Sequence, residues 1–179
     1  MTNRNATSDQ DRHYQAACEQ YGAALGRLVL GYESDPERRR DLLQEIHLAL
    51  WTSFATFDGR CALRTWVYRI GHNVAINHAV KDKRHRDTFQ VGVDELDAAS
   101  EALSDSDQID EHAVLQRLHA MILRLKAPDR QIMLLYLDDL DASSIAQVTG
   151  ISAANVATKI HRIKKLLART LNVNGANND

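Results

Sequence analysis

Apolar and polar residues almost never alternate at a period of two in this chain of 179 residues, so half-buried strands are not expected. Its two cysteines, Cys18 and Cys61, lie far apart with no CxxC, which argues against a disulfide framework or a zinc site. No apolar run approaches the roughly 20 residues of a membrane span, and no membrane insertion is expected. The opening stretch "MTNRNATSDQDRHYQ" is polar, without the apolar centre of a secretion signal, so a cytoplasmic location is expected. Catalytic signatures are missing as well. There is no GxGxxG, P-loop, GxSxG or HExxH, and the eight histidines are scattered without ligand spacing. Neither an enzyme nor a cofactor nor a bound metal is expected.

What is present is segregated charge. The net charge of −2 hides two basic segments on either side of an acidic one. Residues 60–86 carry Arg60, Arg64, Arg69, Lys81, Lys83, Arg84 and Arg86 against the single acid Asp82. Residues 87–111 hold nine acids and no Lys or Arg. Residues 152–170 hold Lys159, Arg162, Lys164, Lys165 and Arg169 with no acid. Two basic segments joined by an acidic one suggest two sites for a polyanion on a solvated tether, although solvated faces of no function give similar runs.

The periodicity is helical nearly throughout. A first amphipathic helix is expected over about 10–30, with Tyr14, Cys18, Tyr21, Leu25 and Leu28 on one face. "GYESDPER" breaks it; Ser34 or Asp35 can cap the next helix, and Pro36 suits a first turn whose N–H groups lack intrahelical partners. That helix, about 36–55, is expected to bury Leu43, Ile46, Leu50 and Phe54. "FDGR" signals a turn, and a third helix is expected from Leu63 to about Arg84. The acidic segment is too polar to fold by itself. A second helical unit is expected from about Ile109 to Thr170, followed by a frayed tail.

Within that second unit, "DLDASSIAQVTGISAANVATKIHRIKKLLART" carries the spacing of a helix-turn-helix. Asp141 can cap a short helix, Gly150 supplies the turn, and Ser152 caps the next helix. Ala146 is small where the helices touch, and Val156 secures the second helix. Val156, Ile160, Ile163 and Leu167 make a buried stripe, leaving Asn155, Thr158, Lys159, His161 and Arg162 outward. Such a helix can enter a major groove, with Asn, Thr and Arg at base edges and Lys on phosphates.

The stretch "TWVYRIGHNVAINHAVKDKRHRD" is less usual. Trp66, Ile70 and Val74 are expected to continue a core stripe. Tyr68, Arg69, Asn73 and Asn77 cannot all join it. Aromatics, amides and a positive track together are what capture of unpaired bases needs, although aromatics at helical spacing are more often packing. On the second helix, Asp41, Gln44, Glu45 and Leu48 share one face at i, i+3, i+4, i+7, which by itself reads as an ordinary wet face.

"DLLQEIHLALWTSFATFDGRCALRTWVYRIGHNVAINH" resembles the second region of the extracytoplasmic-function (ECF, group 4) sigma factors of the sigma-70 family. "LKAPDRQIMLLYLDDLDASSIAQVTGISAANVATKIHRIKKLL" similarly resembles their fourth region. The resemblance implies an all-α chain: residues 1–86 as a region 2 helical bundle, 87–108 as a flexible acidic linker, 109–171 as a region 4 helix-turn-helix, and 172–179 as a disordered tail. It also implies a promoter-recognition subunit of RNA polymerase whose second region melts the −10 element and whose fourth reads the −35 duplex. By the same resemblance, Phe57 and Asn73 line the pocket for a flipped base, and Trp66, Tyr68 and Arg69 belong to the melting segment. Asn77 and His78 face the −10 strand, with Lys81, Lys83, Arg84 and Arg86 on phosphates. Ser152, Asn155, Thr158, Lys159, His161, Arg162 and Lys165 are the implied −35 contacts. Asp41, Gln44, Glu45 and Leu48 are implied to dock the β′ clamp helices, and the β flap and an anti-sigma factor are further implied partners.

Several positions depart from the family pattern. His47 stands for the usual Phe, and Leu63 for another frequent aromatic. Ala157 replaces a common cation, Asn155 a common Thr, and "DASSIA" lacks the usual paired acids. Two roles remain open for the acidic segment, nucleic-acid mimicry or solubility. A second reading of the whole chain is a stand-alone helix-turn-helix regulator that binds duplex DNA as a dimer.

Overall fold

A computed structural model of the chain describes residues 3–83 and 111–173, with side chains over 9–81 and 115–169. Arg84, Arg86, the acidic segment 87–108 and residues 174–179 lie outside the described residues. Seven α-helices and one short 3-10 turn account for nearly all of what is described, and no β-strand occurs among the described residues. The chain divides into two compact units.

The first unit is built from α1 (Asn3–Leu30), α2 (Pro36–Ser53), the 3-10 turn Phe54–Thr56 and α3 (Leu63–Lys83). The side chain of Asp35 accepts a hydrogen bond from the Arg38 N–H at 3.0 Å and Pro36 opens α2, the expected arrangement. Each of the three helices packs against the other two. Leu25 and Leu28 of α1, Leu42, Ile46 and Leu50 of α2, and Val67 of α3 are almost wholly buried between them. At Gly71, α3 lies close against α1: a Cβ there would stand 3.2 Å from Leu25 Cδ2 and 3.4 Å from Leu28 Cδ1.

Two expected faces are corrected. On α2 the buried residue is Leu42, while Leu43 is half-buried. On α3 the core face runs through Val67, Tyr68, Gly71, His72, Ala75 and Ala79, and Trp66, Ile70 and Val74 sit half-buried at its rim. Small residues decide this, because Gly71, Ala75 and Ala79 let the helix backbone approach its neighbours in a way bulkier residues would prevent.

The remaining helices are α4 (Glu111–Arg124), α5 (Ala127–Leu137), α6 (Ala142–Thr149) and α7 (Ala153–Val173), which make up the second unit except for the end of α6 from Gln147. Met121, Ile122 and Leu125 pack on Met133 of α5 and on Ile163, Leu166 and Leu167 of α7. The guanidinium of Arg130, 2% exposed, donates to the carbonyls of Leu123 and Leu125, the latter at 2.9 Å. A cation from the next helix thus satisfies the end of α4. The close of α5 is a Schellman turn, with Leu140 N–H on Leu135 O at 3.2 Å and Asp139 N–H on Tyr136 O at 3.1 Å. Asp139 takes the left-handed position with φ 57°, where glycine is the usual choice.

Candidate nucleic-acid interface

The helix-turn-helix forms as its spacing requires. Asp141 accepts from the Ser144 N–H at 2.7 Å, starting α6. Gly150, at φ 79°, turns the chain, and Ser152 Oγ accepts from the Asn155 N–H at 3.3 Å to start α7. Ile145 and Val148 of α6 are buried, as are Val156, Ile160, Ile163 and Leu167 of α7, which is the expected stripe. Ser152, Asn155, Thr158, His161, Arg162 and Lys165 are all exposed. Asn155, Thr158, Arg162, Lys165 and Arg169 follow one another at steps of three or four and share a row along the outer face of α7. Thr158 already donates its hydroxyl to Ala154 O at 3.0 Å.

Lys159 departs from expectation. It is half-buried, and its ammonium lies 2.6 Å from the Asp129 carboxylate on α5. Its spacing explains this, since it follows Val156 by three residues and precedes Ile163 by four, on the edge of the buried stripe. Lys164 occupies the matching place on the other edge, four after Ile160 and three before Leu167. Its ammonium donates to the Tyr136 hydroxyl at 3.2 Å and stands 5.2 Å from that ring's centre. The same arithmetic, applied to the sequence, could have separated these lysines from the outward row.

On α3 of the first unit, Arg69, Asn73, Asn77 and Lys81 follow at i, i+4, i+8 and i+12 and so form a second row. Asn73, Asn77 and Lys81 are exposed and Arg69 is half-buried. Trp66 begins the same side of the helix. Its indole N–H donates to Ser53 Oγ at 2.9 Å, and its ring stands 5.2 Å from that of Phe57. Phe57 is half-buried and also meets His13 edge-on at 5.2 Å and Phe54 at 5.8 Å. His13 is a member of this aromatic group that the sequence did not single out, because nothing local links position 13 to position 57.

Two residues expected among the strand-facing groups lie elsewhere. Tyr68 is 3% exposed and stacks on His72, with ring centres 6.2 Å apart. His78 is half-buried, its Nε2 3.4 Å from a carboxylate oxygen of Glu33. Glu33 is itself buried; it also pairs with Arg38 at 3.2 Å and accepts from the Asp35 N–H at 3.0 Å. One carboxylate thereby joins the α1–α2 turn to α2 and α3.

Asp41, Gln44, Glu45 and Leu48 line an exposed face of α2, and Leu48 is 66% exposed. Trp51 extends this face by one more turn. Its indole N–H donates to Asp11 at 2.9 Å, while the Gln10 side chain donates to Trp51 O at 2.7 Å, so α1 fixes the ring's place. Trp51 stands three residues after Leu48, a spacing that could have added it to the expected set. His47 faces α1, its Nδ1 3.0 Å from the Tyr14 hydroxyl and 3.8 Å from Cys18 Sγ. Burial lowers its pKa below the ordinary 6.5, which favours the neutral ring. Among the described residues no group of three or more His, Cys, Asp or Glu side chains could hold a metal ion, and no helix is long and apolar enough to cross a membrane.

Known proteins share this arrangement. The family described as "Sigma-70 region 2" matches residues 18–85, and "Sigma-70, region 4" matches residues 115–167. The ECF RNA polymerase sigma factor SigW of Bacillus subtilis (strain 168) is 29% identical over 138 residues, covering 73% of this chain and 74% of that protein. The ECF RNA polymerase sigma factor SigX of the same organism is 24% identical over 159 residues, covering 87% of this chain and 82% of that protein. A solved structure of CnrH in complex with the cytosolic domain of CnrY superposes with a TM-score of 0.66 at 21% identity, covering 94% of each chain. These matches span both units in the same order and decide against the stand-alone regulator. The chain belongs to the sigma-70 family as an ECF sigma factor, a non-enzymatic subunit that binds RNA polymerase and directs transcription initiation at promoters.

Proposed function

We propose that the work of initiation is divided between the two units along the boundaries expected from the sequence, 1–86 and 109–171, with the acidic segment 87–108 as tether. The row Arg69, Asn73, Asn77 and Lys81 on α3 tracks the −10 strand. Phe57 and Trp66 supply apolar walls for an unstacked base, Asn73 reads its edge, and Arg84 adds a phosphate contact. The row on α7 enters the −35 major groove, with Ser152, Asn155, Thr158 and Arg162 near bases and His161 and Lys165 toward the backbone. The observation that carries this reading is the coincidence of two outward polar rows, one on α3 and one on the reading helix of a helix-turn-helix, in a chain of this family.

The α2 face of Asp41, Gln44, Glu45, Leu48 and Trp51 docks the β′ clamp helices, and the second unit meets the β flap. A mixed acidic and apolar surface suits a basic coiled coil, and an exposed Leu48 beside Trp51 offers an apolar contact that water leaves unused. The same exposed surfaces suit an anti-sigma factor that withholds the protein from polymerase, and the place of action is the cytoplasm. Solution of the structurally similar CnrH with a protein partner supports such a regulator.

The test is reconstitution with core RNA polymerase. Wild-type protein is expected to co-elute with core and to start transcripts at selected sites. Asp41→Arg with Glu45→Arg should abolish co-elution while leaving the far-UV spectrum unchanged, because both side chains are exposed. Undiminished co-elution of that variant would remove α2 from the docking surface.

A further inference from the structure

The basic residues of α7 are not equivalent. Lys159 and Lys164 flank the buried stripe and both reach α5, whereas Arg162 and Lys165 lie in the outward row. Asp129, the partner of Lys159, is 7% exposed and sits in the first turn of α5, where the positive end of the helix favours a carboxylate. An ammonium held 2.6 Å from a nearly buried carboxylate is committed in a way that a solvated surface lysine is not.

We propose that Asp129 and Lys159 form a positioning brace that fixes how α7 is presented to the −35 duplex, and that Lys159 makes no phosphate contact. This rests on the proposal that α7 enters the duplex. Its consequence is that Asp129, a residue of α5 outside the helix-turn-helix, governs promoter affinity. The brace also fits the local sequence. Lys159 lies between Val156 and Ile163 at the edge of the buried stripe, so a change in its pairing acts on the angle of the whole outward row.

Counterion release separates a brace from a contact. Each phosphate contact contributes about 0.9 to the slope of log K against log salt, while a brace contributes nothing to the slope and acts on affinity at every salt concentration alike. The measurement uses holoenzyme reconstituted with core polymerase, bound across a potassium chloride series to a duplex fragment carrying a start site mapped with the wild-type enzyme. Neutralising the pair with Asp129→Asn and Lys159→Met should weaken binding several-fold with the slope unchanged. Lys159→Arg, which keeps the ion pair, should restore wild-type affinity. Lys165→Met, from the outward row, should lower the slope by about 0.9.

A slope lowered by about 0.9 in the neutralised pair would make Lys159 a phosphate contact and overturn the brace. Wild-type affinity in that variant would overturn it as well. If Lys165→Met leaves the slope unchanged, the duplex-facing row itself is wrong, which is a distinct failure and takes the brace with it. Should the neutralised pair not fold, Asp129→Asn alone decides: weaker binding at wild-type or steeper slope supports the brace, and unaltered binding refutes it.

Discussion

Mild acid should destabilise the first unit through His72. This imidazole is 1% exposed, its Nδ1 is 3.2 Å from the Tyr32 hydroxyl, and Tyr68 stacks on it. Burial lowers its pKa to about 3 from the ordinary 6.5. The unfolded chain therefore takes up a proton near pH 6.5 that the folded chain refuses until about pH 3. Stability from this group is fully present above about pH 6.5 and is lost as pH falls toward 3, at about 1.4 kcal/mol per pH unit. From pH 6.5 to 5 the loss is about 2 kcal/mol, before most carboxylates begin to titrate. Urea unfolding of wild type and of the Tyr32→Phe/His72→Phe double variant, at both pH values, isolates the effect. His47 and the carboxylates titrate in both proteins and cancel in the difference. The stability gap should shift against the wild type by about 2 kcal/mol on acidification. A gap independent of pH, or an imidazole resonance of His72 titrating near pH 6, would refute the reasoning.

Other substitutions test the packing around the two interfaces. Arg130→Met removes the donors to Leu123 O and Leu125 O and should cost about 3 kcal/mol in urea unfolding of the second unit; a loss below about 1 kcal/mol would show that these carbonyls find other partners. Asp139→Gly relieves a left-handed aspartate in the Schellman turn and should raise stability by about 0.5 kcal/mol, after the entropy that glycine adds to the unfolded chain; a lower urea midpoint would contradict this. Glu33→Gln breaks the carboxylate that holds Arg38 and His78 and should cost about 2 kcal/mol, less than a fully buried pair because Arg38 keeps 30% of its side chain in solvent; an unchanged midpoint would argue that the cluster is neutral to folding.

The features legible in the sequence are those decided within a few residues. Asp35, Asp141 and Ser152 are caps because a short acceptor precedes an apolar-periodic run. Gly150 marks the turn, and the stripe of Val156, Ile160, Ile163 and Leu167 needs only helical spacing. The face of α3 differs from the expected one for a physical reason. Trp66 and Ile70 carry more hydrophobic surface than Gly71, Ala75 and Ala79, yet close approach of helices is bought with small residues. Tyr68 then joins the core because His72, one turn on, offers it a flat partner. The pairs Glu33–His78 and Asp129–Lys159 span 45 and 30 residues, and no local pattern specifies such partners.

Those two pairs have a common logic. In each, a residue from a polar helix that resembles a DNA-contacting segment is held by a nearly buried carboxylate from another element of the same unit. A DNA-reading helix needs exposed cations and amides on one side, and that composition gives it little apolar surface with which to fix its own rotation. Polar groups at the margin of the buried stripe can fix it, since rolling the helix would strip a nearly buried carboxylate of a partner. On the proposed reading, the outward row faces the duplex while the marginal residues set its angle. On that reading, position relative to the core stripe, more than charge, separates a basic residue that meets DNA from one that braces the helix.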